Sequence, residues 1–161
     1  MRFCSIASGS SGNCIYVGSE KAHVLVDVGI SGKKMEQGLN SIDLSGKDID
    51  GILITHEHSD HIKGIGVIAR KYEIPIYATG GTVDAMSRMS SLGKIPEGIF
   101  REIREDEPFF IKDLRINPFS IPHDAAHPVG YRLECGQQSV GIATDLGKYT
   151  ASGCAASGGE S

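Results

Sequence analysis

Between residues 51 and 61 the chain reads Gly51-Ile52-Leu53-Ile54-Thr55-His56-Glu57-His58-Ser59-Asp60-His61. An apolar run of strand length, of the kind covered on both faces of a sheet, leads directly into three imidazoles and a carboxylate. On a loop between a strand and a helix, His56, His58, Asp60 and His61 can converge on one point. Neutral imidazole and carboxylate are the ligands that suit Zn, Mn and Fe. A histidine-rich surface loop would require neither the fixed spacing nor the apolar strand before it.

Upstream, residues 2–7, Cys14–Val17 and His23–Val28 read as three short strands of a meander, separated by turn chemistry at residues 8–13 and 18–21. Ser31 is a plausible N-cap for a helix that places Met35 and Leu39 on one face. Downstream, Ile65–Tyr72 reads as a helix, Pro75–Ala78 as a strand and Thr82–Leu92 as a second helix. Strand and helix alternate up to that point, which implies helices layered on a sheet. From Phe100 onward the pattern turns to strands at Phe100–Ile103, Phe109–Ile111, Leu114–Ile121, Gly130–Cys135 and Ser139–Thr144, with turns at Asp113 and Gly136-Gln137. Residues 151–161 hold no large apolar side chain to offset the entropy of ordering. The expected division is therefore one domain over 1–150 and a flexible or non-native tail over 151–161.

The 161 residues suffice for one core. Glycine accounts for 21 of them, well above the usual ~7%, so tight turns and close backbone approaches are expected. The net charge of −4 argues against a whole-surface grip on nucleic acid, though not against a local basic groove. Lys33, Lys34, Lys63, Arg70 and Lys71 are candidates for phosphate contacts, and a solvated helix face explains them equally well. Cys4, Cys14, Cys135 and Cys154 form no C-x-x-C pair. The first three are expected as buried thiols in a reducing compartment. No apolar stretch approaches the ~20 residues of a membrane helix and no signal peptide is legible, so the expectation is a cytoplasmic protein without a membrane partner. His23, at a strand start, and His127, in a proline-containing loop, are expected as partly exposed residues rather than ligands.

The H-x-H-x-D-H pattern at 56–61 resembles the second motif of the metallo-β-lactamase superfamily. Asp27, closing Val24-Leu25-Val26-Asp27, is similar to the family's first-motif aspartate. His123, in Ser120-Ile121-Pro122-His123-Asp124, and Asp145, in Gly141-Ile142-Ala143-Thr144-Asp145-Leu146-Gly147, stand where the third and fourth motifs fall. The resemblance implies an α/β (α+β) fold, the αββα sandwich of that family, here as the N-terminal half plus part of the second half. It also implies two divalent metal ions, with zinc, manganese or iron as candidates. His56, His58 and His123 would hold the first, Asp60 and His61 the second, and Asp145 would bridge them. Asp27 would orient a ligating imidazole or the loop backbone, and Asp60 and Asp27 are the candidate catalytic carboxylates. The family's fifth-motif histidine has no counterpart after His127, so the resemblance implies a C-terminally incomplete chain.

The stretches Ile6-Ala7-Ser8-Gly9-Ser10-Ser11-Gly12-Asn13-Cys14, Pro122-His123-Asp124-Ala125 and Pro128-Val129-Gly130-Tyr131 resemble the bacterial YycJ/WalJ-like branch of the superfamily. That resemblance implies a metal-dependent hydrolase: a phosphodiesterase that degrades DNA from the 5′ end, using a metal-bound hydroxide. DNA is the expected substrate. A thioester hydrolase of the glyoxalase II kind, an inactive metal-binding remnant and a structural DNA-binding module are the rival readings. The sequence leaves open whether a homodimer closes the fold.

Overall fold

Residues 1–7, 12–57, 59–121, 129–143 and 148–152 are described by a computed structural model of the chain, positions 59, 60, 143 and 148–152 through their backbone alone. Strands β1 (Arg2–Ala7), β2 (Cys14–Gly18), β3 (His23–Val26), β4 (Gly51–Leu53), β5 (Ile76–Thr79) and β6 (Phe100–Ile103) form a six-stranded sheet in that order. The first three make an antiparallel meander, and β3 to β6 pair in parallel. Parallel neighbours need crossovers. These carry α1 (Gly32–Asn40), α2 (Ser59–Ile62), α3 (Ile65–Tyr72) and α4 (Gly80–Ser87). A second, antiparallel sheet contains β7 (Phe109–Ile111), β8 (Leu114–Ser120), β9 (Val129–Cys135), β10 (Gln138–Ala143) and β11 (Lys148–Ser152), in the order β11-β10-β9-β8-β7.

Successive strand residues face opposite sides, and this sorts the apolar runs into two cores. Leu25, Ile52 and Ile54 join Met35, Leu39, Ile65 and Ile68 beneath the helices. Val24, Val26 and Leu53 join Leu114, Ile116, Tyr131 and Leu133 between the sheets. Each fully buried aliphatic side chain contributes about 1.5–3 kcal/mol. The central strands of the first sheet are apolar because both their faces are covered, whereas the edge strand β6 exposes Arg101 and Glu102. On the second sheet Arg115 and Arg132 point outward and pair with Glu134 at 2.7 and 3.1 Å. The layers are helix, sheet, sheet, the αββα plan without a helix over the outer face of the second sheet among the described residues.

Several boundaries differ from the sequence reading, each for a local reason. The strand expected over 23–28 stops at Val26, because Asp27 takes a left-handed conformation with φ 64° that no ladder accommodates. In the apolar run at 51–55 the strand itself covers Gly51–Leu53, with Ile54 N still donating to Tyr77 O at 2.9 Å. The helix expected over 82–92 starts earlier, at Gly80, and ends at Ser87. Met89 is extended, and a separate 3₁₀ turn covers Ser90–Leu92. α1 begins as expected, with the Ser31 hydroxyl accepting from Lys34 N at 3.2 Å. Ala151 and Ser152 of the expected tail lie in β11, paired with Val140 and Ser139. The rest of that stretch, with Cys154, lies outside the described residues.

Cys14 is fully buried, whereas Cys4 and Cys135 are only half-buried. All three are free thiols. No helix among the described residues is long and apolar enough to cross a membrane.

Candidate metal centre

Three loops meet at one end of the first sheet. Gly29 N donates to Asn13 O, Val28 N to His61 O and Gly64 N to Val28 O, each at 2.8 Å. The approach is close enough to require glycine: a Cβ at Gly64 would lie 2.3 Å from Ile30 O. The backbone around His61 is therefore registered against the end of β3 before any side chain contributes.

At the end of β3, Asp27 is wholly buried, as are Thr55 and His56, and His61 is 2% exposed. One carboxylate organises all of them. Asp27 Oδ1 accepts from Thr55 N at 2.8 Å. Oδ2 accepts from the Thr55 hydroxyl at 2.8 Å and lies 2.6 Å from His61 Nδ1. A buried charge is tolerated only when hydrogen-bonded in this way, and each such bond contributes about 1.5–3 kcal/mol.

Taken with an ionised Asp27, these contacts assign the imidazole tautomers. An ionised carboxylate only accepts, so His61 carries its proton on Nδ1 and its lone pair on Nε2. Asn13 Nδ2, 3.3 Å from that Nε2, is a donor and agrees with this assignment. Thr55 gives its only hydroxyl proton to Asp27. Towards His56 Nδ1, 2.9 Å away, it can then only accept. His56 also carries Nδ1–H and presents Nε2 as its lone-pair nitrogen. The two rings stand 4.0 Å apart between centroids, tilted by 50°. Two buried imidazoles with their basic nitrogens on Nε2, backed by a carboxylate, are a donor set that fits a transition-metal cation.

The second sheet reaches the same loop. Tyr131 donates its hydroxyl to Ile54 O at 2.6 Å, and Val129 N donates to Thr55 O at 3.0 Å. Burial pushes the Tyr131 hydroxyl well above its ordinary pKa, with the Asp27 charge adding to the effect.

Of the residues singled out from sequence, Asp27, His56 and His61 come together. Asp60 lies on α2 and is described through its backbone alone. His58, His123 and Asp145 lie outside the described residues, as do His127 and most of the 8–13 loop. The flanks of the last two motifs are described. Val129, which follows the His123 segment, bonds Thr55. Ile142, three residues before Asp145, pairs with Tyr131. Among the described residues, no group of three or more His, Cys, Asp or Glu side chains is set to hold a metal.

His23 is tied to the Tyr16 hydroxyl through Nδ1 at 2.6 Å, away from this centre. Lys71 pairs with Glu36 at 2.8 Å. Arg70 donates to Leu92 O and Lys94 O at 2.9 and 3.0 Å. Both make these contacts from exposed positions on α3. Sequence reasoning passed over Thr55 and Asn13, which hold the histidines. Neither is a usual ligand type, and the only signal was their position beside motif residues.

A family model described as the metallo-beta-lactamase superfamily matches residues 7–159. The chain is 40% identical over 149 residues to exodeoxyribonuclease YycJ of Bacillus anthracis, a match covering 91% of this chain and 55% of that protein. It is 41% identical over 146 residues to exodeoxyribonuclease WalJ of Streptococcus pneumoniae serotype 2, covering 91% and 54%. The chain thus spans about half the length of these curated relatives. Among solved structures, a Cronobacter sakazakii metallo-beta-lactamase with a HARLDQ motif is similar at TM-score 0.71 and 12% identity, over 84% of this chain and 53% of that one. MEM-A1, a subclass B3 metallo-beta-lactamase from a soil metagenome library, is similar at TM-score 0.67 and 19% identity, over 94% and 61%. At these identities the likeness is one of fold.

Proposed function

The chain belongs to the metallo-beta-lactamase superfamily, and from that membership we propose that it is the metal-binding part of a DNA exonuclease that works from the 5′ end. The observation that carries the reading is the pair of buried imidazoles, His56 and His61, fixed in one tautomer behind Asp27. It lies within a stretch 40% identical to an exodeoxyribonuclease.

In this reading His56, His58 and His123 would hold one divalent cation, Asp60 and His61 would hold a second, and Asp145 would serve both. Zinc is the first candidate, with manganese and iron as alternatives. Bound cations supply Lewis acidity, which provides a nucleophile at neutral pH and offsets charge developing on phosphate oxygens. The chain's own residues do the positioning. Asp27 keeps the His61 proton on Nδ1, Thr55 does the same for His56, and the bond from Tyr131 to Ile54 O keeps the second sheet against the loop. Asp27 is a positioning residue, not one that touches substrate. The free thiols Cys4, Cys14 and Cys135 suit a reducing compartment such as the cytoplasm.

The test is a linear DNA labelled at either its 5′ or its 3′ end, incubated with zinc- or manganese-loaded protein. Early release of the 5′ label as mononucleotide, abolished by a chelator, is the expected result. Hydrolysis of a small thioester with the 5′ label left intact would assign a glyoxalase-like activity instead. Bound metal without turnover of either substrate would make the chain a metal-binding remnant.

A further inference from the structure

A cavity of about 710 Å³ is lined by Glu57, Ile62, Lys63, Met89, Ser91 and Leu92. Glu57 directly follows His56, and Ile62 and Lys63 directly follow His61, so the cavity and the candidate centre share one stretch of chain. Ile62 and Leu92 are buried and give the cavity an apolar floor. Met89 is a half-buried wall, and Lys63 and Ser91 stand exposed at the rim.

The far wall is held in place rather than hanging as a loose flap. Arg70 on α3 grips the carbonyls of Leu92 and Lys94. Gly66 lets Leu92 O approach so closely that a Cβ there would lie 2.0 Å from it. A cavity already formed before binding avoids the entropic cost of ordering it.

We infer that this cavity seats one nucleobase of the DNA strand being degraded, with the Lys63 ammonium on a neighbouring backbone phosphate. The inference rests on the DNA reading above and adds where the strand lies. A base offers two apolar faces to a floor of Ile62 and Leu92 and to the Met89 thioether. Apolar contact with the faces alone reads no base edge and so tolerates any base, as an exonuclease requires. The Ser91 hydroxyl can donate or accept, so it too serves any base edge. The protein as a whole carries a net charge of −4, so a cation at the rim is what would draw a phosphate to this particular spot.

The chain contains no tryptophan, so Met89→Trp installs a single fluorophore in the cavity wall. The zinc-loaded variant is titrated with a 5′-phosphorylated strand of non-cleavable linkages and with an abasic strand of equal length. Anisotropy of a labelled strand reports total binding. The expected result is saturable quenching by the base-bearing strand, at least about fivefold weaker for the abasic one. On cleavable DNA, Met89→Ala raises KM about fivefold and changes kcat less than twofold, and the KM penalty vanishes on the abasic strand.

Equal quenching by both strands would mean that the site reads charge alone and would overturn the base assignment. DNA binding by anisotropy without quenching would put the strand elsewhere and leave the exonuclease reading standing. Quenching by a small thioester but not by DNA would give the cavity to a small-molecule substrate. Failure of the wild type both to bind and to cut DNA would remove the exonuclease reading, and this inference with it.

Discussion

The hydroxyl of Tyr131 donates to the carbonyl of Ile54 at 2.6 Å, joining two residues 77 positions apart. Together with the bond from Val129 N to Thr55 O, it fastens the second sheet to the strand leading into the histidine cluster. Removing the hydroxyl leaves the Ile54 carbonyl buried without that donor. Tyr131→Phe is expected to lower stability by about 1–3 kcal/mol, measured as a lower urea midpoint at pH 8. Burial raises the folded-state pKa of this tyrosine above the unfolded value. Its contribution is therefore complete below about pH 10 and is lost as pH rises beyond that, where only the unfolded chain releases the proton. The phenylalanine variant should show a shallower alkaline decline than the wild type.

Asp27→Asn separates orientation from folding. Asparagine tolerates the left-handed conformation at φ 64°, and its carbonyl oxygen can still accept from Thr55 N. Its amide, however, presents a donor where His61 Nδ1 now donates, so the imidazole proton is driven to Nε2. Metal affinity should fall about 10- to 100-fold while the circular dichroism spectrum stays unchanged. A competitive zinc titration with a chromophoric chelator reads the difference. Undiminished affinity would remove Asp27 from the centre.

Glu36 on α1 receives the Lys71 ammonium and the Tyr72 hydroxyl from α3. The bond from Lys71, then that from Tyr72, hold the Glu36 carboxyl below its ordinary pKa. A depressed carboxylate pKa stabilises the fold above the unfolded value, near about 4.3, and that stabilisation fades as pH falls through the folded value. Glu36→Gln should lower the urea midpoint slightly at pH 7 and flatten its acid dependence below pH 5. The pair lies at the surface, with Lys71 exposed and Glu36 partly so, and the effect is expected to be small and reduced by salt.

The parts of this molecule legible in its sequence are those where one physical signal dominates. The run Gly51–Ile54 is apolar throughout, which marks a strand covered on both faces, and it lies between the two cores. Ser31, Met35 and Leu39 fixed α1 through a cap and a period. Where signals compete, the element boundaries fall away from the sequence pattern. Gly80-Gly81 are poor helix residues, yet they open α4 because β5 delivers the chain there. The end of β3 depended on the left-handed turn at Asp27, which aspartate's spacing does not announce. At the centre, the histidines and Asp27 were visible as residue types. The intermediary Thr55 was not, because its role comes from the hydroxyl's single proton being committed to Asp27, a fact of geometry alone.

The most direct test is metal content. Wild-type protein supplemented with zinc, dialysed and subjected to elemental analysis should retain about two ions per chain. His61→Ala should keep no more than one, and His58→Ala should lose most of the metal. A folded wild-type protein that retains no transition metal would contradict the assignment of a metal centre to these side chains.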